Sequence, residues 1–171
     1  VDTLTNGENG TVRGWELGTQ YHFDMLPGYW SGFGVNANYT YADSEQPNGN
    51  PLLNISKNTY NFQLYWEGEQ FQTRLAYNYR SEFLNEENTK RISGIGALGV
   101  TTNDPSAGNS YNAARGQLDY SASYDFSENL TIVASATNIL GEPTSFVTEI
   151  GNTWRWIEAD RRVSLGVRAK W

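Results

Sequence analysis

The chain closes on RRVSLGVRAKW (residues 161–171), and its last nine residues alternate without a break. Val163, Leu165, Val167, Ala169 and Trp171 share one parity; Ser164, Gly166, Arg168 and Lys170 share the other. A period of two is the signature of a strand whose two faces meet different surroundings. Chain ends usually fray and are usually polar. Here the mean hydropathy is −0.61 and the net charge −7, yet the final residue is a Trp on an apolar stripe. Such a strand needs something apolar against one face and something wet against the other.

The same period recurs upstream. In residues 13–23, Trp15, Leu17, Thr19, Tyr21 and Phe23 oppose Glu16, Gln20 and His22. Residues 32–42 set Phe33, Val35, Ala37, Tyr39 and Tyr41 against Gly34, Asn36, Asn38 and Thr40. Next come Tyr60, Phe62, Leu64 and Trp66 against Asn61, Gln63 and Tyr65, then Phe71, Thr73, Leu75, Tyr77 and Tyr79 against Gln72, Arg74, Ala76, Asn78 and Arg80. Residues 116–126 place Leu118, Tyr120, Ala122, Tyr124 and Phe126 opposite Gln117, Asp119, Ser121 and Ser123. Residues 130–138 alternate more weakly, with Leu130, Ile132, Ala134 and Ala136 as the apolar side. With the last strand this makes seven, each near the roughly 9–11 residues a tilted strand needs to cross a bilayer.

Composition agrees with strands. Of 171 residues, 11 are Tyr, 7 Phe, 6 Trp and 17 Gly, against 5 Pro and 1 Met, a mixture that favours strands and turns over helices. With no Cys there is neither a disulfide framework nor a thiolate metal site. Twelve Lys and Arg against 19 Asp and Glu argue against a nucleic-acid partner, which would require a basic excess. No apolar run approaches the length of a transmembrane helix, and the opening VDTLTNGENG has no signal-peptide pattern.

Two features separate a membrane barrel from a soluble sandwich. The connections alternate in length: short at 24–32, 67–70 and 127–130, long at 42–56, about 81–115 and about 140–161. Short turns at one end and long loops at the other characterise outer-membrane barrels. The faces differ as well. A soluble sandwich turns Lys and Glu toward bulk water, whereas here the polar face carries Asn, Gln, Ser and Gly. Aromatics such as Tyr21, Phe23, Tyr41, Trp66, Phe71, Tyr79, Phe126 and Trp171 cluster near strand ends, as membrane girdles do. The expected fold is therefore all-β, built from antiparallel transmembrane β-barrel strands.

The closing octet SLGVRAKW resembles the C-terminal signal by which outer-membrane barrels are recognised by their insertion machinery, with Ser164, Gly166, Ala169 and Trp171 as the carrying positions. A two-faced terminal edge strand is one an insertase can pair with by strand addition. More widely, GTVRGWELGTQYHFDMLPG, SGFGVNANYTYADSE, SKNTYNFQLYWEGEQFQTRLAYNYRSEFL, YSASYDFSENLTIVASATNILGE and RRVSLGVRAKW resemble the C-terminal barrel portion of TonB-dependent outer-membrane receptors, in a style similar to proteobacterial receptors of carbohydrate uptake. That resemblance implies a 22-stranded barrel with a plug domain ahead of it and a TonB-contacting segment near the N-terminus. Residues 1–171 would then be the last seven or so strands, with the plug and earlier strands absent. A closed bacterial barrel has an even strand count, and seven strands ending in the periplasm require another before Val1.

Other motifs carry less. Residues 94–99, GIGALG, match the G-x-G-x-x-G spacing, but VTTNDPSAGN follows where a helix would have to start, so a Gly-rich external loop is expected. His22 is the only histidine, leaving no material for a His-based metal cluster or a Ser-His-Asp triad; a lumen hydrogen bond near the short-turn end suits it. Asn103–Asp104 and Glu158–Asp160 lack the ligand density of a calcium loop. No catalytic residue, metal site or cofactor is expected.

The function expected is TonB-dependent active transport of a scarce, bulky nutrient, carbohydrate or oligosaccharide ahead of a siderophore, across the bacterial outer membrane. The partners are outer-membrane lipid, the barrel insertion machinery, the TonB complex through the absent N-terminal part, and a small-molecule or oligosaccharide substrate, with no nucleic acid. Two other readings stand beside it: a complete small barrel with a structural or adhesive role, and a soluble carbohydrate-binding sandwich. For the ligand, Trp154, Arg155, Trp156 and Glu158 are the candidates. If the last strand continues upward without a bulge, Trp154 and Trp156 share the inward parity of Ser164 and could stack on sugar rings; a bulge in EADRR would turn them outward.

Overall fold

The computed structural model describes residues 9–87 and 108–171; Gly94–Gly99 and Asn103–Asp104 lie outside them. The described chain is antiparallel sheet, with one 3₁₀ turn at Gly28–Gly32. The strands are β1 (Thr11–His22), β2 (Phe33–Glu45), β3 (Asn58–Glu67), β4 (Phe71–Arg80), β5 (Phe83–Glu86), β6 (Ser110–Asn112), β7 (Arg115–Ser127), β8 (Leu130–Thr137), β9 (Thr144–Thr148), β10 (Thr153–Ile157) and β11 (Arg162–Ala169). Seven form one sheet in the order β1-β2-β3-β4-β7-β8-β11, and these are the seven that the alternation marks.

Register carries the alternation across the sheet. Leu17 pairs with Tyr39, Tyr39 with Tyr60 and Tyr60 with Tyr79; Val35 pairs with Leu64, Leu64 with Leu75 and Leu75 with Tyr120; Leu165 pairs with Ala134 and Ala134 with Ala122. A slip of one residue would send every side chain to the opposite face, so this uninterrupted apolar band is what pins the register. The other face pairs Gln20 with Asn36, Asn36 with Gln63, Asn61 with Asn78, and Ser121 with Ser135.

The apolar band has no protein to cover it. Leu84 is the buried hydrophobic residue among those described, while Trp15, Leu17, Phe62, Val163 and Leu165 stay exposed, Leu165 at 79%. A soluble sandwich would bury this face in a core about 10 Å thick. A hydrophobic belt several strands wide facing outward is the surface of a membrane protein. β1 and β11 each pair on one side only.

The short connections gather at one end. Lys170 N–H donates to Asn129 O (2.9 Å) and Asp125 N–H to Gln70 O (2.8 Å), and Trp66 Nε1 donates to Tyr29 O (2.7 Å). Trp66 also packs against Phe71, centroids 5.8 Å apart, and Trp30 stacks on Phe33 at 5.7 Å. An aromatic rim thus marks this end. Inside it, His22 stacks on Tyr65 (6.1 Å, 14°). Gly34, between them in register, lets the ring lie flat, because a methyl there would run into it.

The opposite end corrects the sequence reading. Residues 81–115 and 140–161, expected as loops, contain β5, β6, β9 and β10, which form a second sheet in the order β10-β9-β6-β5. This order follows β11-β8-β7-β4, so each outer strand is joined in sequence to the wall strand at the matching place. The breaks at 81–82, 113–114, 138–143 and 158–161 reset the parity. Strands of three to five residues without lipid along one face carry no sustained hydrophobic period, which is why they do not announce themselves.

Candidate functional site

The inward face is widest in chemistry where the two sheets meet. Arg80 ends β4 and Arg115 begins β7, and they are direct partners in the ladder; Thr59 lies across from Arg80 on β3. One row further in, Asn61 pairs with Asn78 and Asn78 with Gln117. These residues, with Phe83, Asn112 and Thr144 from the outer sheet, line an alcove of about 400 Å³. That volume is in the range of small-molecule sites, which combine shape with a few convergent polar groups.

Hydrogen bonds fix the alcove's walls. Arg80 Nε donates to Ser56 Oγ (2.6 Å) and its NH2 to Asn54 O (2.5 Å), with the guanidinium 3.7 Å above the Phe83 ring. Arg115 NH1 donates to Thr144 Oγ1 (3.0 Å), and its buried Nε has no hydrogen-bond partner. Gln117 Nε2 donates to both oxygens of Asp119 (3.1 and 2.9 Å), and Asp119 Oδ1 also accepts from Asn138 N–H (2.8 Å). Glu142 accepts from Gly116 N–H (2.7 Å).

Asn138 is the hinge post. Its φ of 54° lies in the left-handed region, where Asn is among the few tolerated side chains, and its Nδ2 donates to Ala159 O (3.1 Å). It thereby ties the break after β8 to the break before β11. Gly141, at φ 66°, leaves room for Arg161, whose NH2 donates to Leu140 O (3.1 Å).

The four candidate ligand residues do not form one platform. β10 and β11 belong to different sheets, separated by residues 158–161, so the strand does not run upward unbroken. The β9–β10 ladder also slips at Trp154, between Thr153 and Arg155. Trp154 Nε1 donates to Ser110 Oγ (3.0 Å), and its ring packs against Phe146 at 5.7 Å. Arg155 sits over the same Phe146 ring, 5.4 Å from its centroid. Trp156 is 65% exposed and shares with Glu158, Gly141, Pro143 and Arg161 a shallow hollow of about 280 Å³. The structure therefore joins Trp156 to Glu158 on the Ser145 face of the outer sheet, and places Trp154 and Arg155 against Phe146, whose ladder partner Asn112 lines the alcove. The alcove was missed in the sequence because its two arginines meet only through the long-range β4–β7 pairing.

At the terminus, Ser164 pairs with Ser135, Gly166 with Val133 and Ala169 with Leu130, while Trp171 is fully exposed past the last strand. Among the described residues no group of three or more His, Asp or Glu is placed to hold a metal. No helix is long and apolar enough to cross a membrane, which says nothing of crossing by strands.

Known proteins place this architecture. Among solved structures, the siderophore receptor PiuA from Acinetobacter baumannii superposes with a TM-score of 0.65 at 17% identity, covering 95% of this chain and 22% of that one. The copper transporter OprC superposes with a TM-score of 0.59 at 16% identity, over 94% of this chain and 23% of that one. At such identity the likeness is one of fold, and the chain spans less than a quarter of either neighbour. No curated protein matches the sequence. The family model described as TonB dependent receptor-like, beta-barrel matches residues 2–139. The chain belongs to the TonB-dependent receptor β-barrel family, an outer-membrane family of transporters and receptors rather than enzymes.

Proposed function

We infer that this chain supplies barrel wall, lumen surface and extracellular sheet to a TonB-driven importer of a scarce, bulky nutrient, with carbohydrate or oligosaccharide as cargo ahead of a siderophore. In this reading residues 1–171 are the C-terminal part of the barrel, and a plug domain and further strands of the same receptor complete it. The one-sided pairing of β1 and β11 supports a larger closed wall, since long open edges are aggregation-prone.

The observation that carries the cargo assignment is the inward amide row Asn61–Asn78–Gln117; an exposed indole, Trp156, borders Glu158 in a separate hollow of the outer sheet. Amides bond hydroxyls in either direction, and an indole offers the apolar face on which a sugar ring stacks. Trp154 and Arg155 hold the outer sheet that presents Trp156. At the other end, Ser164, Gly166, Ala169 and Trp171 form the signal through which the insertion machinery adds β11 to a growing wall, and Trp171 remains as an interfacial anchor.

The test is oligosaccharide binding by the intact receptor carrying Trp156→Ala, measured at wild-type surface levels. Loss of an aromatic hot spot should weaken binding roughly thirtyfold, about 2 kcal/mol. Unchanged affinity for every oligosaccharide that the intact receptor imports in a TonB-dependent manner would remove Trp156 from the site.

A further inference from the structure

We propose that the alcove around Arg115 is an anion subsite, taking a carboxylate-bearing, hydroxyl-rich solute with its carboxylate on Arg115 and its hydroxyls on the Asn61–Asn78–Gln117 row. This deepens the importer reading and rests on it. The first ground is the register. Arg80 and Arg115 lie directly opposite one another on the inward face, and like charges at such a position repel. A chain with net charge −7 has carboxylates to spare, yet none among the described residues forms an ion pair with either arginine. The ion pair found among the described residues is Lys57–Asp43, elsewhere on the wall.

The second ground is where the acids and the donors of this region go. Glu142 is engaged by Gly116 N–H, and Asp119 by Gln117 and the Asn138 backbone. Arg80 is held by Ser56 Oγ, Asn54 O and the Phe83 ring, so it acts as a structural clamp that still contributes its charge. Arg115 is different. It donates to the neutral Thr144 hydroxyl and leaves Nε without a partner. A guanidinium has five N–H donors in a fixed fork, and its preferred acceptor is a carboxylate held by two parallel bonds.

The third ground is the company this guanidinium keeps. Asn61 and Asn78 line the same alcove and make no side-chain hydrogen bond to the described residues. Gln117 has its amide N–H groups turned to Asp119, which leaves its carbonyl as an acceptor for a hydroxyl. Two cations with no ion-pair partner among the described residues disfavour a free metal ion, and a row of amides disfavours an apolar ligand. What fits is a solute with an anionic group at one end and hydroxyls along its length. An acidic sugar and a hydroxycarboxylate chelator both have that chemistry.

The intact receptor, purified in detergent, should be titrated with oligogalacturonate, with the same oligomer after reduction of its carboxyl groups, and with citrate. At least one carboxylate probe should saturate, and oligogalacturonate should bind at least tenfold more tightly than its reduced form if the source is a sugar. Citrate binding without oligogalacturonate binding assigns the site to a chelator. Arg115→Gln should erase most of the advantage of the carboxylate and Arg115→Lys should restore part of it, because a lysine returns the charge without the fork. Lys57→Gln, which removes a cation from the opposite face, should leave the titrations unchanged.

Equal binding of the reduced and acidic oligomers, a carboxylate preference that survives Arg115→Gln, or no saturable binding of either carboxylate probe would each overturn the proposal. TonB-dependent uptake of the reduced oligomer by cells carrying Arg115→Gln separates the two levels. If that uptake persists while the anion preference is absent, the importer reading stands and the anion subsite falls.

Discussion

The wall and the outer sheet are made by the same passages of chain, and they obey different rules. β4 runs into β5, β6 into β7, β8 into β9 and β10 into β11, yet only the wall half of each alternates in step with its neighbours. The wall stands between lipid and water, so every second residue has an apolar requirement and the register is over-determined. The outer sheet has no lipid against it and is held by its own pairing, by burial of Leu84 and Ser110, by Trp154 on Phe146 and Ser110, and by clamps at the breaks. Solvent dictates one region, and specific contacts dictate the other.

Breaking the wall should therefore cost the most. Leu64 lies mid-strand on the outward band between Val35 and Leu75. Leu64→Arg should destabilise the folded receptor by about 2–4 kcal/mol, the cost of an Arg near a bilayer midplane. Gln63→Arg, one residue away on the inward face, should cost less than about 1 kcal/mol because the lumen is wet. Unfolding in lipid vesicles followed by Trp fluorescence compares the two; equal penalties would mean that the two faces are not chemically distinct.

How much of each region the sequence discloses follows from the same contrast. All seven wall strands are legible in the primary structure, because two solvents write a period of two into them. The outer strands are not, although one signal was available. TSFVT and TWRWI flank EIGN, a short Gly-Asn connection of the kind that joins hairpins, with Gly151 at φ 83° and Thr148 N–H donating to Asn152 O. β5 and β6, at four and three residues, are too short to show any period. The alcove is hidden for another reason. Arg80 and Arg115 are visible as charges at strand ends, but their pairing depends on β4 meeting β7 across a long excursion. The placement of Trp156 depends on breaks that parity counting from Ser164 could not see.

A smaller effect, confined to the outer region, should come from the hinge post. Asn138→Ala removes the bond to Ala159 O and leaves the Cβ at φ 54° without the local bonding that lets Asn sit there. Left-handed strain and one lost hydrogen bond sum to about 1–2 kcal/mol, and removal of the unpartnered Oδ1 offsets part of it. Hydrogen exchange should quicken by about tenfold in the amides of β9 and β10 while those of β3 and β4 stay unchanged. Asn138→Gly, which keeps the backbone geometry available, should lie between wild type and Ala. Faster exchange spread evenly over both sheets would show that they open as one unit.

The smallest effect belongs to the boundary between the regions. Lys57 Nζ lies 3.3 Å from Asp43 Oδ1, with both side chains more than half exposed, and 5.6 Å from the centre of the Tyr41 ring. Tyr41 ends the aromatic band, and the next outward row pairs Arg13 with Asp43, so charge begins where lipid stops. Hydrogen bonding to Asp43, then to Tyr41, raises the Lys57 pKa above its ordinary 10.5. A raised folded-state value means that the stabilisation is fully present below pH 10.5 and is lost only as pH climbs through the folded pKa. Between pH 7 and pH 9 the pair should therefore contribute a constant and small amount, since exposed ion pairs are screened by salt and offset by side-chain entropy. Lys57→Gln should shift the unfolding midpoint slightly at low salt and not measurably at 0.5 M salt, roughly one-third the screening length of 0.05 M salt. A large, salt-insensitive loss would put the Arg13–Asp43 row inside the hydrocarbon and move the upper edge of the wall outward by a full row.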